Sequence, residues 1–195
     1  MTKHTFALLT ALLLTPLATA HAADGQPLQD FRRVVIADAA LPVQRAAAEE
    51  LATYAGKIVG QKIEVTKLSE LAVDAPGLSF FLGDAAAERA LGKSPQPWKT
   101  EEWLLQTVPS GLVLAGDDGP EDAWSNHTRA GSMLAVYTLL EDHLGVHWFW
   151  PGAFGERVSV KPDADVPSLD LRRTPNFEIR FVQLGYLGGY QTKDR

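Results

Sequence analysis

The side chains able to do chemistry in this chain are few, and their spacing is poor for catalysis. Five His are present, and His4 and His21 fall in an apolar leader, leaving His127, His143 and His147. His143 and His147 are four apart, the spacing that sets two imidazoles on one helical face for a metal ion. Gly145 between them predicts the end of that helix, and no carboxylate completes an H-E-x-x-H pattern. His143 therefore reads as a last-turn residue beside the negative helix end, and no metal site is expected. The acids come as neighbours, Glu49-Glu50, Glu101-Glu102, Asp117-Asp118 and Glu141-Asp142. A glycosidase needs two carboxyl groups facing each other across a bond, about 5–10 Å apart, and adjacent residues do not supply that. Asp117 and Asp118 stand out, because they occupy a Gly-bounded loop after a strand, although turn chemistry accounts for them without a ligand.

Other chemistries fail on residue type. Ser132 follows Gly131 with no G-x-S-x-G elbow around it. Gly116 to Gly119 is too short for a phosphate loop and lacks a following Lys-Ser/Thr. Asn126-His127-Thr128 matches a glycosylation sequon in form only. Cys is absent, which excludes thiol nucleophiles, zinc ribbons and disulfide scaffolds. No catalytic residue and no cofactor is expected.

The aromatics are the unusual feature. All five Trp fall between Trp98 and Trp150, and His147-Trp148-Phe149-Trp150-Pro151-Gly152 sets three rings in consecutive positions. Exposed Trp faces stack on sugar rings, whereas a buried strand under a helix is the commoner use of such a run and the one expected here. Asp117, Asp118, Trp124, His147, Trp148 and Trp150 are the candidates for contact with a sugar or with the rim of a substrate site.

The elements that must position these residues follow from periodicity. Arg33 to Asp38 reads as a short buried strand after a polar leader from Asp24 to Phe31. Ala39 to Val59 follows as a helix, with Pro42 in its first turn, a core stripe of Val43, Ala47, Leu51, Tyr54 and Ile58, and Gly60 as its stop. Gln61 to Lys67 alternates as a strand with one wet face. Leu78 to Leu82 is a strand, Ala85 to Leu91 a short helical stretch, and Glu102–Val108 with Gly111–Ala115 a hairpin across Pro109-Ser110. A second long helix is predicted over Thr128–Leu144, a strand over Val146–Trp150, and two short strands over 157–160 and 168–172. The expected fold class is α+β, a mixed sheet with the two main helices on one face. The other face is left for solvent or for another domain.

Composition sets the class and the compartment. With 195 residues, 46% hydrophobic and 22% charged, the chain is globular and of single-domain size. A net charge of −6 argues against a nucleic-acid or anionic-membrane partner. Lys3 and His4 precede an apolar run from Phe6 to Leu17, and Ala18-Thr19-Ala20-His21-Ala22-Ala23 supplies an A-x-A site. This reads as a secretory signal peptide over 1–22 cleaved after Ala22, since a membrane span needs about 20 apolar residues. The mature protein is expected in the periplasm or outside the cell, with no membrane span after cleavage.

Gly131, Ala135-Val136-Tyr137, Leu140-Glu141 and Leu144-Gly145-Val146-His147-Trp148-Phe149-Trp150-Pro151-Gly152 together resemble a motif of exported bacterial glycoside hydrolases. His147 stands where that motif more often has Arg. These enzymes include alpha-glucuronidase-like proteins and share an N-terminal domain with the beta-hexosaminidases. Ile36-Ala37-Asp38, Ala47-Ala48-Glu49-Glu50-Leu51 and Leu82-Gly83 also resemble that domain's β-α-β opening, so the likeness covers about residues 32–172. The resemblance implies a leader over 23–31 and a non-catalytic α+β accessory domain over 32–172. A (β/α)8 barrel would follow, entered through 173–195, with Phe177–Val182 as its first strand. A barrel needs roughly 200 residues, so the expectation is the front end of an enzyme, inactive without its barrel and meeting carbohydrate through it. The alternative is a stand-alone periplasmic carbohydrate-binding or interaction module.

Overall fold

The computed structural model describes residues 25–125 and 128–176. The expected signal peptide, His127 and the expected first barrel strand Phe177–Val182 lie outside the described residues. Among those described, no helix is long and apolar enough to cross a membrane.

In chain order the elements are β1 (Gln26–Pro27), β2 (Phe31–Ile36), α1 (Pro42–Val59), β3 (Glu64–Lys67), β4 (Leu78–Leu82), α2 (Asp84–Leu91), β5 (Trp103–Val108) and β6 (Gly111–Gly116). They continue with α3 (Gly131–Thr138), which runs into a π-helical turn at Leu139–His143, then β7 (His147–Trp148), β8 (Glu156–Arg157), β9 (Asp165–Val166) and β10 (Asp170–Arg173). Six strands form a mixed sheet in the order β10-β5-β6-β4-β2-β3. β6, β4, β2 and β3 run parallel, and β5 is antiparallel to both β6 and β10. This is the α+β class expected.

Two apolar layers hold the sheet. On one face α1 and α3 bury Val43, Ala47, Leu51, Ile58, Ala135 and Val136 against Val34, Phe80, Leu112 and Leu114. Phe31 stacks on Phe80 with centroids 4.2 Å apart, which fixes the start of β2 over β4. The second face is not left open. Ala86 and Ala87 of α2, with Leu68, Leu71 and Trp98, pack on Val35, Phe81, Val113 and Ala115. An eight-residue helix with two buried alanines carries too thin an apolar stripe to announce that coverage in sequence.

Other boundaries move as well. The polar leader belongs to the fold. Leu28 is fully buried, its N–H donates to Ala164 O at 2.8 Å, and β1 pairs with β9. α3 begins at Gly131 rather than Thr128, and Ala130 before it forms an isolated antiparallel bridge with Asp118. The expected strand Val146–Trp150 shrinks to the two residues of β7, paired with β8.

Candidate functional site

Two loops carry the candidate residues, and they use their side chains in opposite ways. The first follows β6. There the backbones of Gly116 and Gly131 touch, so that a Cβ at Gly131 would lie 2.4 Å from Asp117 N. This contact sets the start of α3 directly over the end of β6, and Asp117 and Asp118 sit at the junction. Asp117 is buried and accepts from Arg129 Nη1 at 2.6 Å and from the Glu101 N–H at 3.0 Å. Asp118 Oδ1 accepts from the Ser132 N–H at 2.8 Å, and Oδ2 accepts from Ser132 Oγ at 2.6 Å and Gln44 Nε2 at 3.0 Å. Gln44 itself accepts from the Leu41 N–H at 3.1 Å, so one side chain caps α1 and braces α3. Burial pushes the Asp118 carboxyl above its ordinary value, against the hydrogen bonds from Ser132 and Gln44 that pull it down. Both oxygens of both acids are engaged in holding elements together. Further along the loop, Trp124 is 67% exposed.

Beside this junction lies a second tie. Glu102 accepts from Arg172 Nη2 at 2.9 Å and from the Lys99 N–H at 3.1 Å. The hydrogen bond from Arg172 holds its carboxyl below the usual range. The Arg172 guanidinium also donates to Pro95 O and Pro97 O, and lies over the Trp98 ring at 4.5 Å. β10 is thereby clamped to the loop before β5.

The second site loop follows β7. Trp148 is its foundation. Its Nε1 donates to the Tyr54 hydroxyl at 3.0 Å, and its ring meets Tyr54 and Tyr137 edge-on at 5.0 and 5.2 Å. Lys57 lies over the Tyr54 ring at 4.5 Å and pairs with Glu156 at 3.0 Å. From this base the chain leaves the domain and returns, closed by the Phe149 N–H bond to Gly155 O at 2.9 Å. Between these two points Phe149, Trp150 and Phe154 are 71, 70 and 97% exposed. The buried-strand expectation therefore fails for Phe149 and Trp150: only Trp148 packs inward. His147 is exposed as well, its ring 5.7 Å from that of Phe149.

Sequence reasoning weighed Glu50 only as the neighbour of Glu49 and passed over Glu156. Glu50 and Glu156 are 106 residues apart in the chain, yet both act on Tyr54. Burial, then repulsion from Glu156, raises the Glu50 carboxyl, whereas hydrogen bonds from Lys57 and Tyr54 lower that of Glu156. Burial and the Glu50 charge push the Tyr137 hydroxyl up to about 12. The signal was in α1: Glu50 lies one turn before Tyr54, on the edge of the apolar stripe rather than the wet face. Among the described residues, no group of three side chains is placed to hold a metal ion. The arrangement can stack flat rings on its aromatic arm, and can hydrogen-bond through the polar groups at its root.

No family model and no curated protein matches this chain. Among solved structures, the chain is similar to the GH20 beta-N-acetylhexosaminidase from Streptomyces coelicolor A3(2), with 17% identity, a TM-score of 0.47, and coverage of 80% of this chain and 25% of that one. A mutant Streptomyces plicatus beta-hexosaminidase in complex with its product GlcNAc is similar at 17% identity and a TM-score of 0.46, with the same coverage. The chain spans about a quarter of the length of these structures.

Proposed function

We propose that this is the non-catalytic N-terminal domain of a secreted glycoside hydrolase of alpha-glucuronidase-like or hexosaminidase-like type. In this reading the domain braces a catalytic barrel that acts on oligosaccharide or polysaccharide, and lends it a loop at the rim of the active site. The observation that carries the reading is the aromatic arm. The motif residues Tyr137 and Trp148 form a rigid root, and Phe149, Trp150 and Phe154 stand out from it into solvent. Such a loop suits docking on a neighbouring domain and touching what that domain binds. The acids near the first loop favour the absence of independent catalysis, since Asp117 is spent on Arg129 and the Glu101 N–H, Asp118 on Ser132 of α3, and Glu102 on Arg172.

The test is turnover by purified 23–195 against a panel of aryl glycosides. No hydrolysis is expected from the domain by itself, and substantial turnover would refute the reading. N-terminal sequencing of protein recovered from the periplasm should begin at Ala23. An intact Met1 in the cytoplasm would count against export. A second reading has its own support, the exposure of Trp124 together with Trp150, and makes this a carbohydrate-binding module. Sugar-induced quenching of Trp fluorescence in the isolated protein would favour that module. A flat response across a glycan panel would favour the accessory domain.

A further inference from the structure

On the face of the sheet away from α1 and α3, we propose a binding site for a small organic anion, a carboxylate carried on a compact apolar body. The site is a cleft of about 200 Å³ between the starts of β2 and β4, the end of α2 and the loop before β4. Its lining includes Arg33, Leu71, Ser79, Phe81, Arg89 and Ser110, with no carboxylate side chain. Neither the aromatic arm nor the Asp118 junction contributes to it.

Three features converge on anion binding. Among the described residues Arg33 is held by neutral acceptors, Nη1 donating to Ser79 Oγ at 3.2 Å and Nη2 to Pro76 O at 2.7 Å. Its charge is thus fixed in direction but not neutralised. Arg89 is exposed and makes no ion pair among the described residues, although the chain as a whole carries −6. Ser79 is 4% exposed, and its hydroxyl accepts from Arg33 while its own proton has no acceptor among the described residues. Two guanidinium groups and the Ser79 hydroxyl proton can all donate to one further acceptor, and the planar fork of Arg matches the two oxygens of a carboxylate. Phe81 and Leu71 give the cleft an apolar wall. The volume is below the roughly 300–1,000 Å³ usual for drug-sized ligands, so the occupant is small.

Arg89 also lies in the last turn of α2, where its charge offsets the negative helix end, and a purely structural role predicts loss of stability without loss of binding. Isothermal titration calorimetry of the full chain separates the two. Benzoate is the probe, benzyl alcohol the neutral control, and sodium sulfate at matched ionic strength the bare oxyanion. The expected result is saturable binding of one benzoate in roughly the millimolar range, with benzyl alcohol weaker by at least about tenfold. Arg89→Gln should weaken benzoate by about tenfold with an unchanged circular dichroism spectrum, Arg89→Lys should fall between, and Ser79→Ala should weaken it where the protein stays folded. Benzoate and benzyl alcohol binding alike, Arg89→Gln binding benzoate as wild type, sulfate competing as strongly as benzoate binds, or no saturation would each overturn the site.

Discussion

The loop after β6 and the loop after β7 both follow strand ends, and both mix Trp with polar residues. One turns its acids inward and leaves only Trp124 of its candidates exposed. Asp118 reaches 14 residues along the chain to the first turn of α3 and also holds Gln44 of α1, and no oxygen is left over. The other anchors a single ring, Trp148, and exposes the rings that follow it. The difference teaches that residue type does not identify a site. What matters is whether a side chain's hydrogen-bonding and packing capacity is already consumed by the fold.

The comparison breaks most easily at the glycine contact under the first loop. Gly131→Ala drives a methyl against Asp117 N and Glu102 O, both backbone atoms that cannot rotate away. A loss of about 3 kcal/mol or outright misfolding is expected in urea denaturation, and an unchanged midpoint would mean that the junction is softer than its geometry. Next in size, Asp118→Ala removes three hydrogen bonds and should cost about 2 kcal/mol by the same measurement.

Acid titration sharpens the contrast within the first region. The folded Asp118 carboxyl titrates above its ordinary 3.8, so the folded state holds that proton more tightly than the unfolded chain does. Its contribution to stability is full below 3.8 and is lost as pH rises through the folded value. Glu102 has the opposite sign: its lowered folded value gives stability above 4.5 that is lost as pH falls through it. Carboxyl carbon NMR should therefore find Asp118 titrating above 3.8 and Glu102 below 4.5. An Asp118 midpoint at or below 3.8 would mean that it is better solvated than its place under α3 implies.

In the second region the effects should be smaller and split between root and tip. Trp148→Phe keeps a ring but loses the bond to Tyr54, and should cost about 1 kcal/mol. A double-mutant cycle with Tyr54→Phe should show most of that cost as coupling. Trp150→Ala and Phe154→Ala should change stability by less than about 0.5 kcal/mol, because these rings touch mainly solvent. A larger loss at either tip would show that the arm packs back on the domain.

Sequence reasoning read well where an element is specified locally. The stripe Val43, Ala47, Leu51, Tyr54, Ile58 marked α1, Gly60 at φ +70° closed it, and Pro109-Ser110 marked the β5–β6 hairpin. It read poorly where the cause is distant. The start of α3 is set by Asp118 and by the approach of Gly116, neither of which belongs to the helix pattern. Leu28 and Phe31 are two apolar residues in a polar stretch, and their burial depends on Ala164 and Phe80. Three aromatics in a row suggest burial until Gly152 and Gly155 are seen to turn the chain outward after Trp148.

The pairing of β1 with β9 bears on the order in which this domain can assemble. Residues 26–28 leave the ribosome early, but their partners at 164–166 come nearly a domain later. β10 likewise reaches β5 only after α3 and both loops have been made. Contacts of such long sequence separation slow folding, toward milliseconds to seconds for sheet-rich chains. Through most of synthesis Leu28 and Phe31 have no completed core to enter. Closure awaits the second half of the chain.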